Sequence, residues 1–309
     1  MMMKPPRSGA RDAYVLPDAW RPCQRPPIRR GVVSVLRLAR GSVRRAVRSG
    51  LGADRELALH RAYHNVLRRT GRFAPPEDAL TLAVLSLLAA RARTILDVGA
   101  NTGRYTHLFA EAAPPAAILH AFEPHPSARA LLEANTGRDP RVHIHDCALG
   151  EAEATLTLAV PLDERGNAVS ALGRVGAAVA GEHSLAVRVR TLDGLVAAGE
   201  LTLEQPVLAK IDVEGHEGAV FAGARRLLEA GASVYFESQE VHLDRPGSTS
   251  PWPALFEAGY EVVVRDSDGW RRCDGPIAGW PNYLGLPGGT LPAGALPHAA
   301  LVATLAGWR

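Results

Sequence analysis

Apolar and polar positions along this chain change their period repeatedly, and the changes mark out elements. Short aliphatic and β-branched runs at Thr94–Val98, Ile118–Phe122, Val142–His145, Val207–Ile211 and 233–236 predict five strands. Between them, apolar residues recur at helical spacing and predict helices over 105–112, 127–135, 217–229 and 252–258. Strand and helix in alternation predict an α/β fold, a parallel sheet covered on both faces. Two stretches, 154–160 and 186–189, alternate residue by residue and predict an added hairpin. Residues 261–265 and 282–284 predict an antiparallel pair that closes a mostly parallel, seven-stranded sheet.

Upstream of the first strand the period is helical over 54–69 and again over 77–92, the second stretch led by Glu77 and Asp78. Residues 1–30 hold six prolines among arginines without an apolar period, and read as irregular. In 31–48, Val32, Val35, Leu36, Ala39 and Val43 fall at helical spacing, with Arg37, Arg40, Arg44 and Arg48 on another side. Such a helix could lie on an anionic membrane, dock on a protein, or cap the domain as a solvated helix. The divisions expected are a basic head (1–50), a helical lead-in (51–93), an α/β domain (94–285) and a peripheral Gly/Pro/Ala-rich tail (286–309).

Composition sharpens this picture in two places. The net charge of +3 conceals twelve Lys/Arg against two acids in residues 1–50, which leaves 23 basic and 30 acidic groups for the rest. The body is therefore mildly acidic, which disfavours a nucleic-acid surface beside the sheet. Cys23, Cys147 and Cys273 stand far apart, so neither a disulfide framework nor a zinc site is expected. No apolar run reaches the roughly 18–20 residues of a membrane span, and the N-terminus lacks a leader-like apolar core. A cytoplasmic location is the expectation.

Candidate chemistry begins at Asp97-Val98-Gly99-Ala100-Asn101-Thr102-Gly103, between the first strand and its helix. Glycines there let the backbone turn sharply and approach a ligand, and the helix start offers free N–H groups. Glu123 closes the second strand, where a carboxylate can accept both hydroxyls of an adenosine ribose. A dinucleotide site would want G-x-G-x-x-G; here Asn101 replaces the second glycine, and no P-loop lysine follows. Asp97 suits a cationic ligand and would repel a diphosphate. These points favour S-adenosylmethionine over NAD(P), and the chain also lacks a Tyr-x-x-x-Lys proton relay. Asp146, after the third strand, is expected at the adenine amine or, equally, in a turn.

A second cluster, Lys210-Ile211-Asp212-Val213-Glu214-Gly215-His216-Glu217, lies at the carboxyl end of the fourth strand, the edge where open α/β sheets bind ligands. Glu214 and Glu217 could instead cap the next helix. At this point the sequence resembles the FkbM-type methyltransferases. The stretches that carry the resemblance are DVGANTGRY from Asp97, FEPHP from Phe122, CALG from Cys147, TLDGL from Thr191, KIDVEGHE from Lys210 and VYFE from Val234. The resemblance spans roughly residues 80–285. It implies a Rossmann-like class I methyltransferase fold with an N-terminal helical extension. It also implies S-adenosylmethionine as donor and, usually, a hydroxyl acceptor on a sugar, polyketide or other secondary metabolite.

By that resemblance Asp97, Gly99, Asn101 and Gly103 belong to the cofactor loop and Glu123 to the ribose; Tyr105 is expected among the cofactor-binding residues as well. A hydroxyl nucleophile must lose its proton as it attacks. Asp212 is expected at the acceptor hydroxyl, His216 as base, and Glu237 beside them. The string His143-x-His145-Asp146 invites a metal, but 143 and 145 share a strand face that 146 does not, so no metal site is assigned. The carboxylates Asp212, Glu214 and Glu237 leave magnesium open. The competing classes are an NAD(P)-dependent oxidoreductase and a nucleic-acid methyltransferase or binding protein using the basic head.

Overall fold

The computed structural model describes residues 62–65, 67–68, 73–136, 138–161, 173–176, 182–239, 248–267, 269–294 and 296–307. The basic head, including the helix expected over 31–48, lies outside the described residues, as does most of 54–69. No helix among the described residues is long and apolar enough to cross a membrane.

Helix α1 (Ala79–Ala89) starts two residues later than the pattern suggests. Asp78 leaves the helix and becomes its cap, its Oδ1 accepting from Leu80 N at 2.8 Å and Thr81 N at 3.2 Å. Such a cap is typically worth about 1 kcal/mol. Glu77, freed from the first turn, turns toward the sheet. The chain then alternates β1 (Thr94–Val98), α2 (Arg104–Ala112), β2 (Ile118–Phe122), α3 (Pro126–Thr136) and β3 (Val142–His145). After an insertion, β8 (Val207–Ile211), α5 (Glu217–Ala222), α6 (Arg225–Glu229) and β9 (Ser233–Glu237) resume the alternation. Helix α7 (Trp252–Glu257), β10 (Tyr260–Arg265), β11 (Trp270–Arg272), β12 (Asn282–Pro287) and α8 (His298–Gly307) finish it.

The main sheet has the order β11-β10-β12-β9-β8-β1-β2-β3, Rossmann-like and mostly parallel, with β12 antiparallel to both neighbours. All five residues of β1 and of β8 are buried, as a central strand covered on both faces requires. Among the described residues the sheet has eight strands rather than seven. Strand β11 is only three residues long, too short to announce itself by periodicity, and pairs Val263 with Arg272 and Arg265 with Trp270.

Two further expectations are corrected. The helix expected over 217–229 breaks into α5 and α6. A Cβ at Gly223 would stand 2.0 Å from the Gly150 carbonyl oxygen, and the Asp193 carboxylate accepts from Arg225 N and Arg226 N at 3.1 and 3.0 Å. That long-range approach and cap override local helix propensity. The tail is not peripheral either: Leu291, Leu296, Leu301 and Leu305 are buried in one cluster with Val84, Leu85 and Leu88 of α1. Burying such side chains stabilises by about 1.5–3 kcal/mol each.

The insertion forms its own sheet, order β4-β7-β5-β6, from β4 (Ala148–Leu149), β5 (Ala154–Pro161), β6 (Arg174–Val175) and β7 (Glu182–Arg190), followed by α4 (Leu192–Ala197). The expected hairpin is its core, longer than the pattern suggested, with Ala154 opposite Val189 and Pro161 opposite Glu182.

Candidate active site

At the carboxyl edge of the main sheet the loops after β1, β2 and β8 enclose a pocket, which β5 and β6 of the insertion wall on one side. Gly99, Asn101, Glu123, Asp212, Glu214 and His216 are among its lining residues. Gly99 has φ +75°, and a Cβ there would lie 2.0 Å from the Asp212 carbonyl oxygen, so only glycine lets the two loops touch. Asn101 and Glu214 hold positive φ of 50° and 57° without being glycine. Asn tolerates that region, but for Glu214 it stores strain, which tends to cluster at functional sites.

The loop is pinned from below as well. Asn135 of α3 donates to the Thr102 carbonyl at 2.8 Å, and a Cβ on Gly103 would meet Leu132 Cδ1 at 2.7 Å. Gly103 caps α2 without a side chain, so the first-turn N–H groups of that helix have no side-chain acceptor at the cap. Glu123 is buried, its Oε2 accepting from Asn101 N at 2.8 Å and its Oε1 from His125 N at 2.7 Å. Burial pushes its carboxyl up to about 7, against the pull of those two N–H groups and Lys210. Each oxygen keeps a second lone pair for a ligand hydroxyl.

The opposite wall is acidic. Asp212 and Glu214 line the pocket and Glu237 does not, but the three each offer an oxygen within 4.8 Å of the others, all three residues half-buried. A hard divalent cation would accept such a set, and such spacing is also common without one. Burial, then Asp212 and Glu214, pushes Glu237 up to about 8. Glu217, by contrast, faces inward: its Oε1 accepts from Val213 N at 2.9 Å and its Oε2 from Gly215 N at 3.1 Å, which shapes the 212–216 loop. Those N–H groups belong to the loop before α5, so Glu217 braces that loop rather than capping the helix. Burial raises the Glu217 carboxyl to about 7. His216 precedes α5 with its Nε2 buried, 3.1 Å from where a Cβ on Gly150 would stand. Burial lowers its pKa, against a nearby Glu151, which favours the neutral ring.

Four residues expected at the cofactor do not line this pocket: Asp97, Gly103, Tyr105 and Asp146. Asp97 is 2% exposed, accepts from Thr106 Oγ1 at 2.5 Å and lies 3.4 Å from Lys210 Nζ. It belongs to the floor behind the loop. Tyr105 lies behind the loop too; its hydroxyl donates to Glu77 Oε1 at 2.8 Å, an oxygen that also accepts from Asn282 Nδ2 at 3.1 Å. Asp146 is well exposed and pairs with Arg188 at 2.5 Å, because it faces out from the edge of the sheet. His143 and His145 do share a face, where His145 Nε2 lies 3.0 Å from His120 Nδ1 and its ring stacks on Phe122.

Lys210 is the residue that sequence reasoning passed over. Its Nζ donates to the Gly99 carbonyl at 2.8 Å and lies 3.5 Å from Asp212 Oδ2. Burial alone would push this ammonium down, but Asp212 and Asp97 outweigh it and raise its pKa. A signal was present: the chain carries 35 Lys and Arg, of which only Lys4 and Lys210 are lysines. One of the two stands in a buried strand, in register with Asp97.

The residues present fit S-adenosylmethionine: a cradle that a Cβ would fill, a buried carboxylate with lone pairs to spare, and an uncapped helix start. Residues 97–262 match the family described as Methyltransferase FkbM domain. The AMB antimetabolite synthetase AmbE of Pseudomonas aeruginosa is 33% identical over 208 residues, 55% of this chain and 10% of that protein. The chain thus spans about a tenth of that relative's length. Among solved structures, an O-methyltransferase from Bacillus cereus in complex with SAH is 15% identical, with 75% of this chain and 88% of that one covered and a TM-score of 0.41. The O-methyltransferase TomG from Streptomyces achromogenes, in complex with SAM, is 16% identical, with 76% and 90% covered and a TM-score of 0.41.

Proposed function

Because the chain belongs to the FkbM methyltransferase family and so uses S-adenosylmethionine as donor, we propose that it methylates a hydroxyl oxygen of a glycan or small natural product. The bound cofactor supplies a methyl group made electrophilic by its sulfonium. The protein's task is to hold the cofactor and the acceptor oxygen in line and to take the proton.

In this reading Gly99, Asn101 and Gly103 shape the loop that carries the cofactor, and the start of α2 receives its carboxylate. Glu123 accepts the ribose hydroxyls. Asp97 and Tyr105 act from behind the loop, and Asp146 stays outside. Asp212 meets the acceptor hydroxyl, and Glu237 stands next to it as a second carboxyl group, able to take the proton in its ionised form, which grows as pH rises through about 8. His216, held against Gly150, shapes the pocket wall or acts as a neutral base.

The observation that carries the hydroxyl reading is the open side of Asp212. Its carboxylate is 36% exposed, lines the pocket and has Glu214 and Glu237 as neighbours. A wall of proton acceptors serves a nucleophile that must lose a proton. The name of the AmbE relative, an antimetabolite synthetase, is in keeping with a small natural-product acceptor.

The test uses methyl-tritiated S-adenosylmethionine with a panel of sugars and polyketide alcohols. The expected product carries label that survives alkali, as an ether does, and Asp212→Asn slows its formation about 100-fold with little change in S-adenosylhomocysteine affinity. Label found on nitrogen or carbon would contradict the proposal.

A further inference from the structure

S-adenosylmethionine and its product S-adenosylhomocysteine share one shape and differ by a methyl group and one positive charge. A pocket tells them apart largely through its electric field. Two buried charges lie directly behind this pocket. The Lys210 side chain is 3% exposed and that of Asp97 2%, their charged atoms 3.4 Å apart. Lys210 Nζ touches the pocket's lining at two points, the Gly99 carbonyl at 2.8 Å and Asp212 Oδ2 at 3.5 Å. It also sits 5.1 Å from the centroid of the Tyr105 ring. Buried charges are screened less than surface ones, so each is felt across the lining. Of the chain's 35 basic residues, all but two are arginine, yet lysine stands here. A compact ammonium fits among two carboxylates and a carbonyl where a planar fork would not.

We propose that the Asp97–Lys210 pair sets the pocket's preference between the sulfonium cofactor and its neutral product. The ammonium opposes the sulfonium and Asp97 favours it. The ammonium offsets Asp97 and, with the pair intact, the preference stays balanced, so that the crevice binds the cation without excluding the product's neutral thioether; loss of either member alone leaves the other's field uncompensated. Neither residue needs to contact the ligand; both are positioning residues acting through the field and through Gly99 and Asp212. The inference rests on the reading of this pocket as the cofactor site.

The test is calorimetric titration of S-adenosylmethionine and S-adenosylhomocysteine into the full chain and three variants, Lys210→Met, Asp97→Asn and the double variant. The readout is the ratio of the two affinities, which a loosened loop would leave unchanged because both ligands use the same contacts. Lys210→Met is expected to shift the ratio about tenfold toward the cofactor, and Asp97→Asn by a similar factor toward the product. The double variant should return to within about twofold of the parent. Should Lys210→Met fail to fold, Asp97→Asn and the double variant carry the same comparison. Ratios that agree within about twofold in every folded variant, or shifts of opposite sign, would overturn the proposal while the parent chain still binds both ligands. A parent chain that binds neither ligand would overturn the cofactor assignment itself, and this inference with it.

Discussion

The two walls of the crevice are made of different material. On the glycine-loop side the ligand would meet backbone: N–H groups, tight turns at Gly99 and Asn101, and one carboxylate, Glu123, whose oxygens already hold two N–H groups. On the other side it would meet side-chain charge: Asp212 and Glu214, with Glu237 next to them and a buried ammonium behind. A wall of backbone is fixed by steric exclusion and fails abruptly when a methyl group is added. A wall of charge can be tuned in steps, because each group adds or subtracts its own field.

The largest effect is therefore expected from Gly99→Ala. Its new Cβ would lie 2.0 Å from the Asp212 carbonyl at a φ of +75°, which drives the two walls apart. A loss of about 3 kcal/mol in stability and of measurable cofactor binding should appear in melts and calorimetry. An alanine variant that binds normally would break the contrast between the walls.

A moderate effect is expected from pH, through Glu217. Its folded-state pKa of about 7 lies above the ordinary 4.5. Protonated Glu217 thus favours the folded chain, and its contribution is lost as pH rises through that interval. His120, lowered to about 3 from 6.5 by burial and by His145 and His143, has the opposite sign, its contribution growing as pH rises. The two are separated by comparison: Glu217→Gln should gain stability relative to the parent between about pH 4.5 and 7 and keep a constant gap outside that interval. Denaturant melts at a series of pH values measure this, and a gap that narrows with rising pH would contradict it.

The smallest effect belongs to Asp146→Ala. Its ion pair with Arg188 is exposed on both sides, so stability should change by about 0.5 kcal/mol or less. Affinity for S-adenosylhomocysteine should stay within about twofold, and a larger drop would return Asp146 to the adenine site.

The backbone wall was legible in the sequence because its signals are local. A strand, a turn of Gly99, Asn101 and Gly103, a helix, and Glu123 at the next strand end can all be read within thirty residues. The parallel sheet followed from the same alternation, but its strand order did not. The charged wall was legible only in part. Asp212 and His216 stand in one conspicuous string, but their floor is assembled from Asp97, Lys210, Tyr105 and Glu77, which come from separate elements. Long-range packing also explains the remaining differences. The break between α5 and α6 comes from Gly150 and Asp193, and the buried leucines of the tail from a partner helix some two hundred residues earlier. Periodicity reports which face of an element is apolar, not what will cover it.

The central claim is that the loops after β1 and β2 hold the cofactor. Amide hydrogen exchange with and without saturating S-adenosylhomocysteine tests it most directly. Slower exchange is expected in peptides covering residues 98–105 and 121–126, with helix α8, which does not line the pocket, unchanged. Saturating ligand that leaves both segments exchanging at their free rate, or protects only other parts of the chain, would contradict the account.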